Sequence, residues 1–245
     1  MATPLNADKL LTALKAEGLR VVEHGAWRSH NRNHKGAWGP VNGTMVHHTG
    51  PYTSEGAIVQ YCYGGSPDLP GPLCTGVIGK AGTVYLVGMG RANHAGGGDP
   101  RVLAAVQAED YGDRPPATHE HQGSSGAVDG NAHFYGWECV NRGDGKEAWP
   151  AKQYVAMVKA QAAVLRAHRA KGDKWGEKSA ISHAEWSDWK SDPKGIDMVK
   201  FRRDVAACLA KPAGKWGGTT TVVKLTLEQR VAALEAAVKA LRAKK

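Results

Sequence analysis

The sequence lacks what a membrane-spanning or disulfide-built protein requires. No run approaches the ~18–20 consecutive apolar residues that cross a bilayer as a helix. The 245 residues include only four cysteines, Cys62, Cys74, Cys139 and Cys208, with no CxxC pair. That is too few for a disulfide scaffold, and free thiols are the expectation in a reducing cytoplasm. Residues 1–20 have no basic start, no long apolar centre and no small-residue cleavage site, so no secretory signal is expected. No internal repeat is visible. No helix-turn-helix, zinc-finger or aromatic RNA-binding motif is present to turn the basic charge into a nucleic-acid reading.

The charge that is present is unevenly placed. The chain has 32 Lys+Arg against 23 Asp+Glu, a net +9. Residues 211–245 hold eight of those bases and only Glu228 and Glu235 as acids, so the excess describes the tail more than the rest. Basic surfaces suit anionic polymers and lipid headgroups alike, and the count does not choose among them. Three zones follow. Residues 1–210 mix strand and helix signals and are long enough for one domain with its own core. Residues 211–224 (KPAGKWGGTTTVVK) read as a linker. Residues 225–245 place Leu227, Val231, Leu234, Val238 and Leu241 at spacings of 4, 3, 4 and 3, a heptad seam on a basic amphipathic helix. Fewer than three heptads leave three readings open: a helix docked on its own domain, a self-association helix, or a cationic surface-binding helix.

Within 1–210, Asn6 or Asp8 can cap a helix with Leu10, Leu11 and Leu14 on its apolar face, ended by Gly18. Residues 44–49 read as a strand, 56–63 as a short helix, and 74–78 with 83–87 as a β-hairpin across Gly79–Gly82. Residues 99–131 carry PP, GSSG and DGN signals and read as a long surface loop with a little helix. Residues 133–140 form a strand, 151–170 a helix, 179–183 a short strand or its end, and 198–210 a closing helix. Alternating strands and helices predict an α/β fold, a mixed central β-sheet flanked by helices.

Histidine carries the chemistry. Neighbours in a strand face opposite sides, so only one of His47 and His48 can enter a given site. His183 at a strand end is followed nine residues later by Asp192, just before Pro193. Two histidines and a carboxylate match the three-ligand set of a catalytic zinc with an open fourth position. On spacing alone, surface or capping roles are the commoner reading of such residues. Alternation also puts Glu138 on the face shared with Phe134, Gly136 and Val140, opposite Tyr135, Trp137 and Cys139, and Gly136 would leave room for a substrate beside the carboxylate.

Four segments carry a resemblance: MVHHTG (45–50), RANHAGGG (91–98), FYGWECVN (134–141) and ISHAEWSDWKSDP (181–193). Their order and rough spacing resemble the zinc-dependent N-acetylmuramoyl-L-alanine amidases, a family that includes phage endolysins, a wall-recycling amidase and the peptidoglycan recognition proteins. The likeness covers approximately residues 20–210 and looks closest to actinobacteriophage endolysins. It implies one zinc ion held by His47, His183 and Asp192, and cleavage between the lactyl group of N-acetylmuramic acid and L-alanine. It further implies Glu138 and Lys190 as catalytic groups and His94, with Asn93 beside it, as lining the peptide groove. Nearness in sequence to Glu138 adds Trp137 as a substrate contact, with core packing the commoner reading of such a residue. Some relatives have cysteine at the third ligand, and non-catalytic members typically lose it, so Asp192 argues for an enzyme. WSDWKSDP departs from the usual glycine-containing turn, and 99–131 enlarges the loop after HAG. The implied setting is synthesis in a host cytoplasm followed by action at the cell wall, with the basic tail self-associating or contacting an anionic envelope. The rival readings are a muropeptide-binding module without hydrolysis and a bacterial wall-recycling amidase.

Overall fold

The computed structural model describes residues 2–119 and 127–218. The heptad helix expected over 225–245 lies outside the described residues. The elements run α1 (Ala7–Ala16), β1 (Val21–Glu23), β2 (Gly43–His48), α2 (Glu55–Gly64), β3 (Gly76–Ile78), β4 (Val84–Leu86), β5 (Gly97–Gly98), α3 (Pro100–Ala108), β6 (Val128–Asp129), β7 (Phe134–Cys139), α4 (Ala151–Arg169), β8 (Ala180–Ser182), α5 (His183–Trp186) and α6 (Met198–Leu209). Six strands form one sheet in the order β1-β4-β3-β7-β2-β8. Only the β3–β4 hairpin is antiparallel; the other four pairings are parallel. The sheet is mixed and flanked by helices, as the alternation of elements predicts.

Strand alternation sorts the core into two sides. Val46, Tyr135, Trp137, Cys139, Ile78, Val84 and Leu86 face a large apolar cluster shared with α1, α4 and α6. The other face carries two smaller clusters. One joins Met45, Phe134 and Ile181 to Ala95, Trp186 and the apolar side of α3. The second joins Val77 and Val140 to α2 through Ile58, Val59 and Cys62. Parallel strands buried on both faces need long apolar runs, and β7 supplies one. Asn6, rather than Asp8, caps α1: its side-chain oxygen accepts from the Lys9 N–H at 2.9 Å. All four cysteines are free and buried.

The little helix expected within 99–131 is the nine-residue α3, whose Asp99 cap and buried Val102, Leu103 and Val106 anchor it to the core; within that stretch, residues 120–126 lie outside the described residues. One expectation needs correction: the described part of the 211–224 linker, residues 211–218, packs on the domain. Trp216 packs into the large cluster and the Gly214 N–H donates to Glu17 Oε2 at 3.1 Å. Its glycine-rich composition resembles a tether, but one buried indole is enough to hold it against the domain.

Candidate metal centre and active site

Strands β2 and β7 run in register, with Met45 beside Gly136 and His47 beside Glu138. Parallel neighbours in register point to the same face, about 4.8 Å apart. One imidazole and one carboxylate are thus delivered side by side, on the face that carries the two smaller clusters. His48, one residue on, points away. Its Nδ1 accepts from the Lys194 N–H at 3.1 Å, and its ring rests against Gly143, which has no Cβ to obstruct it.

The other two donors come from one compact segment. His183 opens α5 directly after the edge strand β8. Ser182 and Glu185 form a reciprocal cap at that helix start. Glu185 is gripped by both guanidinium nitrogens of Arg202 on α6, at 2.8 and 2.9 Å. The Ala184 N–H donates to the Asp192 carbonyl at 2.9 Å, which folds the 187–191 loop back and brings Asp192 beside His183. His47 Nδ1 lies 3.0 Å from His183 Nδ1 and 3.0 Å from Asp192 Oδ2, and His183 Nδ1 lies 3.1 Å from the same oxygen. All three residues are buried, and their donor atoms lie within 4.8 Å of one another.

The hydrogen-bond network decides which of these atoms carry protons. A carbonyl oxygen only accepts, so a ring nitrogen facing one must hold the hydrogen. His183 Nε2 faces the Ala95 carbonyl at 3.1 Å; in the neutral ring, His183 Nδ1 is then a bare lone pair. His94 Nε2 faces the Phe134 carbonyl at 3.2 Å, and His94 Nδ1 faces His47 Nε2 at 2.9 Å. The same logic passes along this chain and leaves His47 Nδ1 bare. Burial, reinforced by the neighbouring His183, pushes the His47 pKa down to about 4, so the ring is neutral at pH 7. With both rings neutral, two lone pairs and a carboxylate oxygen converge at about 3 Å. A divalent cation relieves that arrangement. Two imidazole nitrogens and one carboxylate oxygen suit zinc, and the Ala95 carbonyl behind His183 and the His94 ring behind His47 stand where the outer partners that orient metal-binding histidines are found.

Glu138 sits beside this cluster without belonging to it. Burial is the main cause that raises its pKa well above the ordinary value, with nearby Cys62 and Asp192 adding to it. Its Oε2 is buried and has no hydrogen-bond partner among the described residues. Lys190 rests its Nζ 4.1 Å from the centre of the Trp189 ring, and that ring is 53% exposed. The Lys190 charge reaches both His47 and Glu138, lowering the pKa of each.

The residues assigned to substrate fare differently. Asn93 is partly buried, with its side-chain N–H donating to the Pro70 carbonyl at 3.3 Å. His94 has both ring nitrogens engaged inside the protein, one on His47 and one on Phe134, so the polar atoms expected to meet substrate are used up. The space beside Gly136 is filled by the His94 ring: a Cβ there would stand 2.7 Å from its Cγ. Trp137 is a core residue, 0% exposed, on the opposite face from Glu138 among α1, α4 and α6. It cannot touch a substrate at the metal centre. Trp137→Ala is expected to cost about 3–5 kcal/mol of stability by opening a cavity under α4. Denaturant unfolding checks this, and a loss below ~1 kcal/mol would contradict the core placement. Sequence reasoning did not find the carbonyls of Ala95 and Phe134, because main-chain acceptors leave no trace in side-chain identity.

Comparison with known proteins agrees with this site. A family model described as N-acetylmuramoyl-L-alanine amidase matches residues 37–195, more than half of the chain, and the match includes all three donors and Glu138. A search of curated proteins found no match. Among solved structures, the chain is similar to the N-acetylmuramoyl-L-alanine amidase LysC from Clostridium intestinale URNW, with 15% identity over 78% of this chain and 97% of that one and a TM-score of 0.38. It is also similar to the endolysin amidase LysCS from the same organism, with 14% identity over 76% and 96% and a TM-score of 0.39. The span and position of the family match carry the assignment: the chain belongs to the N-acetylmuramoyl-L-alanine amidase family of peptidoglycan hydrolases.

Proposed function

We propose that the chain is a zinc hydrolase of the endolysin kind, cutting the amide between N-acetylmuramic acid and the L-alanine of the stem peptide. The observation that carries this reading is the convergence of His47 Nδ1, His183 Nδ1 and Asp192 Oδ2, beside a buried carboxylate whose Oε2 has no partner. Zinc with three protein ligands and an open position supplies Lewis acidity and makes water nucleophilic near neutral pH.

The remaining work falls to the chain's own side chains. Glu138 takes the proton of the attacking water at Oε2 and returns it to the departing alanine nitrogen, a transfer favoured by a carboxyl whose pKa lies above its ordinary value. Lys190 brings positive charge to the amide oxygen as it becomes anionic. To reach it, the ammonium leaves its resting place over Trp189. The basic residues of 211–245 support contact with an anionic envelope and favour a lytic over a recycling role, and the apolar spacing of Leu227, Val231, Leu234, Val238 and Leu241 supports pairing of two copies.

Digestion of purified peptidoglycan tests the reading, with new alanine amino groups and new reducing sugars followed together. Amino groups without reducing ends are expected. Binding without any cleavage would favour a muropeptide-binding module, and reducing ends would mean a glycosidase.

A further inference from the structure

We propose that His94 is a positioning residue that fixes which nitrogen of His47 faces the metal, rather than a contact for substrate. The inference rests on the zinc reading above but concerns residues outside the ligand set. The chain of contacts runs Phe134 carbonyl, His94 Nε2, His94 Nδ1, His47 Nε2, at 3.2 and 2.9 Å. Each link has one permitted direction. The carbonyl accepts, so His94 donates from Nε2 and accepts at Nδ1; His47 must then donate from Nε2 and present Nδ1 unprotonated. The two rings meet edge to face, 5.0 Å between centres and 85° apart, so neither can rotate without losing the contact.

Two further features hold His94 in place, and its neighbour serves the other histidine donor. Its backbone N–H, with that of Ala95, donates to Asn131 Oδ1 at 2.8 and 2.9 Å. Gly136 provides the floor: a Cβ at that position would meet His94 Cγ, Cδ2 and Nδ1 at 2.7–2.8 Å, so any side chain there displaces the ring. The Ala95 carbonyl, one residue on, orients His183 through Nε2 at 3.1 Å. Two adjacent residues of one loop therefore set the tautomers of both histidine donors, His94 through its side chain and Ala95 through its carbonyl. Without His94, His47 Nε2 has no acceptor, and the ring is free to place its proton on Nδ1, where it competes with the metal.

The test is zinc affinity by competition with a chromophoric chelator, on the full chain, for wild type, His94→Leu, His94→Asn and Gly136→Ala. Long-range ¹⁵N–¹H spectra of the zinc-loaded proteins report the His47 tautomer at the same time. His94→Leu is expected to weaken zinc about 10–100-fold, as loss of an outer-shell partner typically does. His94→Asn, whose side-chain oxygen can stand where Nδ1 stood, should recover part of that loss, and Gly136→Ala should resemble His94→Leu with the imidazole still present. Wild type should show His47 protonated at Nε2, a result that needs no variant to fold. Unchanged affinity in His94→Leu, or a raised KM with unchanged metal binding, would overturn the positioning role while leaving the zinc reading intact. Wild type that binds no zinc would overturn both.

Discussion

Glu138→Gln is expected to lower kcat about 10²–10⁴-fold, the usual worth of a positioned general base or acid, while one equivalent of zinc stays bound. Glutamine keeps the size of the side chain and removes only its ability to carry a proton. Glu138 is not among the three converging donors, so metal binding should not register the change. Stability should move the other way. Burial raises the folded-state pKa of this carboxyl above its unfolded value, so its ionisation opposes folding. In the metal-free protein, the wild type should therefore be the less stable of the two above about pH 4, the unfolded glutamate range. The gap should widen until the folded-state pKa is passed and vanish in acid. Thermal melts of the stripped proteins across pH measure this. A gap that grows as pH falls, or loss of metal from the variant, would contradict the role given to Glu138.

Asp192→Ala should abolish stoichiometric zinc binding, a larger loss than the ~10–100-fold expected when an outer partner is removed, and activity should fall to background with it. Asp192 supplies the only anionic donor of the set and touches both imidazoles. Asp192→Cys is the instructive companion, since a thiolate also suits zinc. Retained zinc in the cysteine variant and lost zinc in the alanine variant would identify the residue as a ligand rather than a support for the 187–191 loop. Equal loss in both would point to the loop.

Much of this site was legible because strand alternation is a strict rule. It separated His47 from His48 and put Glu138 opposite Trp137, and the register of β2 against β7 then sets His47 beside Glu138. The same alternation already argued against Trp137 as a substrate contact; the assignment came from proximity in sequence, which a pleated strand defeats. What stayed hidden was non-local or carried by the main chain. His94 lies 40 residues before Phe134 and 47 after His47, and no pattern announces that its ring fills the space above Gly136. Gly136 is plain in the sequence, but an empty position signals close approach without saying by what. The three-residue edge strand β1 is too short for periodicity to show. The Gly-, Thr- and Lys-rich composition of 211–224 averages over a segment, whereas the single indole of Trp216 decides the packing of its described part.

The central claim is that one metal ion at His47, His183 and Asp192 is required for amide cleavage. Zinc titration into chelator-stripped protein, with alanine amino groups released from peptidoglycan as the readout, tests it most directly. The account predicts no cleavage at zero zinc and a linear rise to a plateau at one equivalent. Full cleavage by the stripped protein, or a plateau reached only at two equivalents, would contradict it.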